Sequence, residues 1–227
     1  MAIYLLEPHS DFPPEHKMEK DGPIAVSWAL HYEQLKRAYS HGIFPWYNEG
    51  EPVQWWCPDP RFVLFPDKLK ISHSMKSLFK KEKFVVTFNQ AFKDVLRNCA
   101  EIPRKDQDGT WLSEELQHNL YRLHAEGWAH SCEVWEAGVL VGGLYGVIYQ
   151  RVFYGESMFS RVPNASKFGF ITWVNHLKAN GITLIDCQYY SAHLESLGAE
   201  FMPRTTFLRW VNSGDSLGAE SIGQQDA

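Results

Sequence analysis

Apolar residues along this 227-residue chain recur in two registers. Spacing of three and four, the mark of a helix with one buried stripe, appears in several stretches. Over Glu33–Ser40 the stripe is Leu35, Ala38 and Tyr39, and Gly42 is placed to end the helix. Over Ser74–Lys81, Met75, Leu78 and Phe79 turn inward and the lysines outward. Asn89 stands where a cap belongs, before Phe92, Val95, Leu96 and Cys99. Ser113 caps a further helix, with Glu114 and Glu115 in its first turn, Leu116, Leu120 and Leu123 inward, and Gly127 at its end. A long helix opens at Asn164 or Ser166, carries Phe170, Trp173, Val174 and Leu177, and stops at Gly181. A short one spans Ser191–Leu197 and ends at Gly198.

Between them lie runs that read as strands: Ile3–Leu6, Phe62–Phe65, Phe84–Phe88, His130–Trp135, Val139–Ile148, Val152–Met158 and Ile182–Gln188. Short turns at Glu136–Gly138 and Tyr149–Arg151 predict that the three middle runs form an antiparallel meander. Phe207–Val211 reads as a closing strand. Gly42–Tyr47 reads as a loop with exposed aromatics, and Pro58 and Pro60 make Trp55–Arg61 a rigid extended connection. Glu101–Gly109 is expected to be a charged loop. These patterns predict a small N-terminal domain over 1–62, a main domain over 63–213 and a disordered tail over 214–227. From residue 84 the element order is β-α-α-β-β-β-α-β-α-β, which resembles acyltransferases of the GCN5-related type. The predicted fold class is α+β. A small N-terminal α/β domain precedes a GCN5-related acyltransferase-like domain whose mixed, mostly antiparallel sheet is flanked by helices.

Composition fits a globular protein with a substantial core: 44% hydrophobic and 22% charged. Aromatics reach 15%, with nine Trp, more than a core needs and suited to stacking on flat ligands. The net charge of −5 argues against a general polyanion binder. Yet Lys68, Lys70, Lys76, Lys80, Lys81 and Lys83 face only Asp67 and Glu82, a local basic excess suited to salt-sensitive phosphate contacts or to a merely solvated surface. Cys57, Cys99, Cys132 and Cys187 form no close pair and read as reduced residues of a cytoplasmic protein. No run reaches the length of a membrane span, and no signal peptide is expected.

The candidate chemistry sits in two apolar runs. Phe153–Ser160 carries Glu156, and Leu184–Gln188 carries Asp186 and Gln188. A carboxylate among apolar neighbours is costly unless it is paired or hydrogen-bonded. A strand period of two puts Asp186 and Gln188 on one face and Cys187 on the other. The plainer reading has Asp186 capping the following turn and Gln188 bonded to backbone. Gly155 in a strand interior suggests a close approach or a bulge. Strict alternation would separate Phe153 from Met158, and Ile185 from Asp186. G-x-S-x-G, Walker and H-E-x-x-H patterns are absent, and no histidine has neighbours at metal-ligand spacing, so no metal is expected. The start of the long helix lacks the Gly-rich loop that would cradle a coenzyme A pyrophosphate.

Several runs keep a common order: Gly42–Tyr47, Trp55–Arg61, Gly109–Trp111, Ala129–Trp135, Leu140–Gly146, Gly155–Ser160, Asn164–Lys167, Leu184–Gln188 and Ser196–Ala199. Together they resemble the leucyl/phenylalanyl-tRNA–protein transferases. Where that family commonly carries Gly-Gly-Asp-Leu-Ser-Pro, this chain has Ser27–Tyr32.

The resemblance implies transfer of Leu or Phe, with Met a further candidate, from aminoacyl-tRNA to the α-amino group of proteins with N-terminal Lys or Arg, marking them for N-end-rule degradation. It implies no cofactor and a cytoplasmic protein; a monomer is expected. By the same resemblance Trp46 and Trp111 hold the terminal adenosine, and Leu144, Phe153, Met158, Trp173, Leu177 and Ile185 line the aminoacyl pocket. Asp186 and Gln188 orient and deprotonate the amine, Asp186 by polarising the Gln188 amide, and Glu156 and Asp186 offer charge to the acceptor's cation. Lys76, Lys80, Lys81 and Lys83 meet the tRNA backbone. Two other readings remain open: an acyltransferase with a small thioester donor, and a non-catalytic tRNA-binding module.

Overall fold

The computed structural model describes residues 3–101 and 112–212. The loop expected after Glu101 and the tail over 214–227 lie outside the described residues. The chain runs β1 (Tyr4–Leu5), β2 (Pro23–Ser27), α1 (Tyr32–Ser40), β3 (Phe44–Pro45), β4 (Val53–Trp56), β5 (Arg61–Leu64), α2 (His73–Phe79), β6 (Val85–Phe88) and α3 (Phe92–Glu101). It continues through α4 (Glu114–Ala125), β7 (Ala129–Glu136), β8 (Val139–Tyr149), β9 (Val152–Ser160), α5 (Ala165–Ala179), β10 (Leu184–Gln188), α6 (Ala192–Ser196), β11 (Glu200–Met202) and α7 (Arg204–Asn212). The fold class is α+β.

Four strands form a small sheet in the order β1-β2-β4-β3, and seven form a large one in the order β11-β5-β10-β9-β8-β7-β6. Only β9 and β10 pair in parallel within the large sheet. That follows from the connection: β9 reaches β10 through the α5 crossover, while β7, β8 and β9 are joined by tight turns. One apolar cluster runs from Leu6, Ile24 and Trp55 through Val95, Leu116 and Tyr154 to Phe207, so both sheets share it. A second cluster includes Phe62, Leu64, Phe153, Trp173, Leu177 and Ile185, on the side of the large sheet covered by α5.

Most helix boundaries follow the signals in the sequence. The Ser113 hydroxyl accepts the Leu116 N–H, and Gly42, Gly127 and Gly181 follow their helices at positive φ. Three expectations are corrected. Phe207–Val211 is not a strand: it lies in α7, where Phe207 and Val211, four apart, form one buried helical stripe. The closing strand is β11, only three residues long and too short to show a period. Asn89 does not cap α3. It sits at φ 59°, and its side-chain oxygen accepts the Ser131 N–H, tying β6 to β7. Gly42–Tyr47 is not an exposed aromatic loop either. Phe44 and Tyr47 are buried, and the segment contains β3.

Candidate active site

Two breaks in strand register build the site. On β9, Ser157 faces Tyr145 and Gly155 faces Gly146, so Glu156 is an extra residue in the ladder. Beyond this bulge the parity of β9 is reversed. Phe153, Gly155 and Met158 therefore lie opposite Ile148, Gly146 and Leu144, all on one face. The conflict that strict alternation creates between Phe153 and Met158 disappears. Gly146 permits the bulge: a Cβ there would lie 2.1 Å from the Tyr154 carbonyl oxygen.

The second break is on β10. Ile185 faces Leu64 and Asp186 faces Val63, but Gln188 faces Phe62, which leaves Cys187 as the extra residue. Asp186 and Gln188 thus do not share a strand face, contrary to the period-two expectation. Gln188 is held at φ 64°, a left-handed conformation that non-glycine residues rarely adopt. Its N–H donates to Asp186 Oδ1 at 2.8 Å. Its side-chain Nε2 donates to Glu156 Oε1 at 3.1 Å. Both the backbone and the amide of Gln188 are thereby fixed, with its carbonyl oxygen left to accept.

Asp186 is fully buried. Its partner is Arg61, whose Nε and Nη2 donate to Oδ1 and Oδ2 at 2.8 and 2.7 Å. The Arg61 guanidinium also donates to the Gly42 carbonyl and lies between the rings of Phe44 and Phe207. This answers the puzzle of a carboxylate in an apolar strand: Asp186 is matched by an equally buried cation. Two expectations change as a result. The negative charge of Asp186 is cancelled within the protein and does not face a substrate. Asp186 touches the Gln188 backbone N–H and not its side chain, and the Gln188 amide bonds to Glu156, not to backbone as the plainer reading had it.

Glu156 lies at the junction of two cavities. Burial pushes its carboxyl up to about 8, helped by the neighbouring Asp186 and opposed by Tyr39, Arg61 and Gln188. A carboxyl raised in this way carries less negative charge at neutral pH than an ordinary glutamate.

The larger cavity has a volume of about 450 Å³, and its walls include Leu144, Phe153, Met158, Ile185, Phe170 and Leu194. Four of the six residues expected to line an apolar pocket are therefore there. Trp173 and Leu177 are not: both are fully buried, and Trp173 packs edge-on against Phe153 at 5.5 Å, behind the wall. A smaller cavity of about 170 Å³ adjoins it, walled by Phe44, Pro45, Trp46 and Tyr189. Glu156, Cys187, Gln188 and Tyr189 line both. Trp46 is braced by its carbonyl, which accepts the Trp56 indole N–H at 2.8 Å, and by ring contacts with Trp56 and Tyr189. Trp111 lies outside the described residues.

Lys76, Lys80 and Lys81 are exposed, in and just beyond α2. Lys83 differs, since it pairs with Glu136 at 3.3 Å. Among the described residues no group of three His, Cys, Asp or Glu side chains could hold a metal ion. No described helix is long and apolar enough to cross a membrane. Cys57, Cys132 and Cys187 are free thiols. Sequence reasoning missed Arg61, Phe170, Leu194 and Tyr189. Arg61 had a signal: a guanidinium directly before Phe-Val-Leu-Phe needs a buried partner as much as Asp186 does.

Comparison with known proteins extends the picture. Residues 63–212 match the family model for leucyl/phenylalanyl-tRNA protein transferase, and residues 29–59 match that for its N-terminal domain. The chain belongs to this family. A leucyl/phenylalanyl-tRNA–protein transferase of Christiangramia forsetii is 52% identical over 211 residues, covering 92% of this chain and 100% of that protein. One from Pseudomonas fluorescens is 48% identical over 224 residues, covering 98% of this chain and 99% of that protein. Among solved structures, a GCN5-related N-acetyltransferase from Kribbella flavida aligns with a TM-score of 0.38 at 12% identity, covering 79% of this chain and 63% of that one. The chain is thus an enzyme, a transferase of the aminoacyl-tRNA–protein class. The atypical Ser27–Tyr32 segment does not remove it from the family: it overlaps the matched N-terminal domain, and the Ser27 hydroxyl accepts the Trp55 indole N–H.

Proposed function

We propose that this transferase moves Leu or Phe from aminoacyl-tRNA to the α-amino group of a protein with N-terminal Lys or Arg, in the cytoplasm. The observation that carries this reading is the position of Gln188 and Glu156 between an apolar cavity and an aromatic one. The apolar cavity suits the donor's side chain, because a polar side chain would be left without partners there. The aromatic wall at Trp46 suits the terminal adenine, since stacking is tolerant of the rest of the tRNA. The exposed Lys76, Lys80 and Lys81 suit the phosphates of the acceptor stem. The free thiols of Cys57, Cys132 and Cys187 fit a reducing compartment.

In this reading the acceptor amine attacks the ester carbonyl carbon. A C–N bond forms, the bond to the 3′ ribose oxygen breaks, and that oxygen leaves as a hydroxyl with the proton the amine gives up. The Gln188 carbonyl oxygen accepts a hydrogen bond from the amine and aims its lone pair. An amide is too weak a base to take the proton fully. Holding an amine against an already activated ester supplies rate without a strong base. Glu156 and Asp186 position Gln188, the first through its amide and the second through its backbone.

The test is transfer of labelled Leu from Leu-tRNA to a peptide with N-terminal Arg. The expected result is labelled peptide, with little transfer to a peptide with N-terminal Asp. Absence of transfer by folded enzyme with a validated donor refutes the reading. Coenzyme A protecting the protein against thermal unfolding would favour the thioester alternative instead.

A further inference from the structure

If acceptors carry a cationic first residue, some surface near Gln188 must meet that cation. Asp186 cannot, because Arg61 already saturates it in the core. Glu156 already accepts the Gln188 amide, and burial raises its carboxyl, so it is less suited to meet that cation. The neighbouring surface supplies another group.

Gln188 is register-paired with Phe62 on β5, and Phe62 with Phe201 on β11. The three form one row across adjacent strands. At about 4.8 Å per strand, Phe201 stands roughly 10 Å from Gln188. Tyr190, two residues past Gln188, lies nearly parallel to Phe201, with ring centres 6.0 Å apart at 17°. Both rings rest against Phe62, at 5.4 and 5.0 Å. Yet Tyr190 is 53% exposed and Phe201 56% exposed. Two large aromatics held rigidly from below and open to water are an unfilled surface.

A carboxylate stands at the edge of this surface. The Tyr190 hydroxyl donates to Glu195 Oε2 at 2.8 Å. Glu195 follows Leu194, which lines the large cavity, and makes no ion pair among the described residues. The neighbouring Glu200, by contrast, is already paired with Lys68.

We propose that Tyr190, Phe201 and Glu195 form the docking surface for the cationic side chain of the acceptor's first residue. The inference rests on the acceptor class proposed above and names where this chain reads it. A guanidinium or ammonium laid on the aromatic faces gains cation–π attraction, and the Glu195 carboxylate meets it at the hydroxyl edge. With the amine at Gln188, the reach of an extended Arg or Lys side chain matches the spacing to Phe201. Arg, planar and weakly hydrated, uses such a surface well.

The experiment measures steady-state transfer from Leu-tRNA to three peptides that differ only at the first residue: Arg, Lys and the neutral Arg isostere citrulline. The wild type is compared with Glu195→Gln and Phe201→Leu, both at exposed positions, with folding checked by circular dichroism. Glu195→Gln is expected to raise the acceptor KM for Arg and Lys by about 3- to 10-fold. Citrulline, kcat and the tRNA KM stay unchanged. Phe201→Leu is expected to act in the same sense. A preference for Arg over citrulline that survives both substitutions overturns the surface while leaving the acceptor class intact. A raised tRNA KM with unchanged acceptor KM overturns it too, and gives the aromatic pair to the tRNA 3′ end. A wild type that transfers to citrulline as readily as to Arg refutes the acceptor class, and this surface with it.

Discussion

Arg61 and Asp186 form a fully buried, two-toothed ion pair, and through the Asp186 oxygen that also accepts the Gln188 N–H they fix the backbone of the residue proposed to meet the amine. The pair therefore couples stability to catalysis. Removing one partner leaves an unmatched charge in the core, which typically costs about 3–5 kcal/mol. Asp186→Ala is expected to lower Tm sharply and to reduce kcat. Replacing both, as Arg61→Met with Asp186→Leu, removes the buried charges together. The double variant is expected to regain much of the stability but not the activity, because Gln188 loses the acceptor that holds it at positive φ. Thermal unfolding and transfer rates on the same samples check this; a double variant with wild-type kcat would show that Gln188 does not depend on the pair.

Glu156 gives the protein a distinctive pH dependence. Its carboxyl is raised to about 8, against about 4.3 in an unfolded chain. Between those values the folded state keeps a proton that the unfolded state has released. Its contribution to stability is therefore full below about pH 4 and is lost as pH rises towards 8, by at most ~1.4 kcal/mol per pH unit. Glu156→Gln preserves an acceptor for the Gln188 amide and cannot ionise. The variant is expected to lose this slope and to unfold at a higher temperature than the wild type at pH 9. Tm measured from pH 5 to 9 decides it, and parallel curves for the two proteins would refute the raised carboxyl.

Strict strand alternation assigns the wrong faces at both register breaks. Glu156, Asp186 and Gln188 were legible because polar groups stand out in apolar runs, and Gly155 marked the place of the break. What could not be read was which residue becomes the extra one, since a bulge depends on the partner strand: Gly146 on β8 for Glu156, Phe62 on β5 for Cys187. The resemblance implies Trp173 and Leu177 in the pocket; their helical stripe shows only that they are buried, not whether they face a cavity or other side chains. Phe207–Val211, expected as a closing strand, lies in the helix Arg204–Asn212, and the four-residue spacing of Phe207 and Val211 is the signal for it. Arg61 is as costly in its apolar run as Asp186 is in its own, and the two are legible only as a pair.

The apolar cavity predicts donor preference. Leu144 faces Met158 across β8 and β9, and both line the wall. Leu144→Trp fills part of the volume. It is expected to weaken use of Phe-tRNA more than Leu-tRNA, by about 1–3 kcal/mol in kcat/KM for the larger side chain. Competition between the two donors measures the ratio. An equal loss for both would mean that the side chain binds elsewhere.

The basic segment predicts a salt dependence. Lys76, Lys80 and Lys81 are exposed, whereas Lys83 is already paired with Glu136. Replacing the first three with Gln is expected to lower tRNA affinity and to flatten the plot of log affinity against log salt. Each lost phosphate contact reduces the slope by about 0.7–0.9. Lys83→Gln is expected to do less. A triple variant with an unchanged slope would leave the patch as a solvated surface.

Gly146 is the residue on which the whole site geometry turns. It faces Gly155 at the bulge, and a methyl group at its position would sit 2.1 Å from the Tyr154 carbonyl oxygen and 2.4 Å from the Phe153 ring. Neither neighbour can yield easily: one is backbone, and the other is a buried wall of the cavity. Gly146→Ala must therefore push β9 away from β8, close the cavity from the Phe153 side, or both. The expected result is a loss of at least ~1–3 kcal/mol in stability, as for other overpacked cores, with activity falling more than the stability loss explains. Gly138→Ala is the control. A Cβ there meets nothing within 4 Å, so its cost is only the strain of φ 77° in the turn between β7 and β8, remote from the bulge. Transfer assays well below both melting temperatures separate the two effects. If Gly146→Ala stays as active as Gly138→Ala, the bulge does not set the position of Glu156 and Met158.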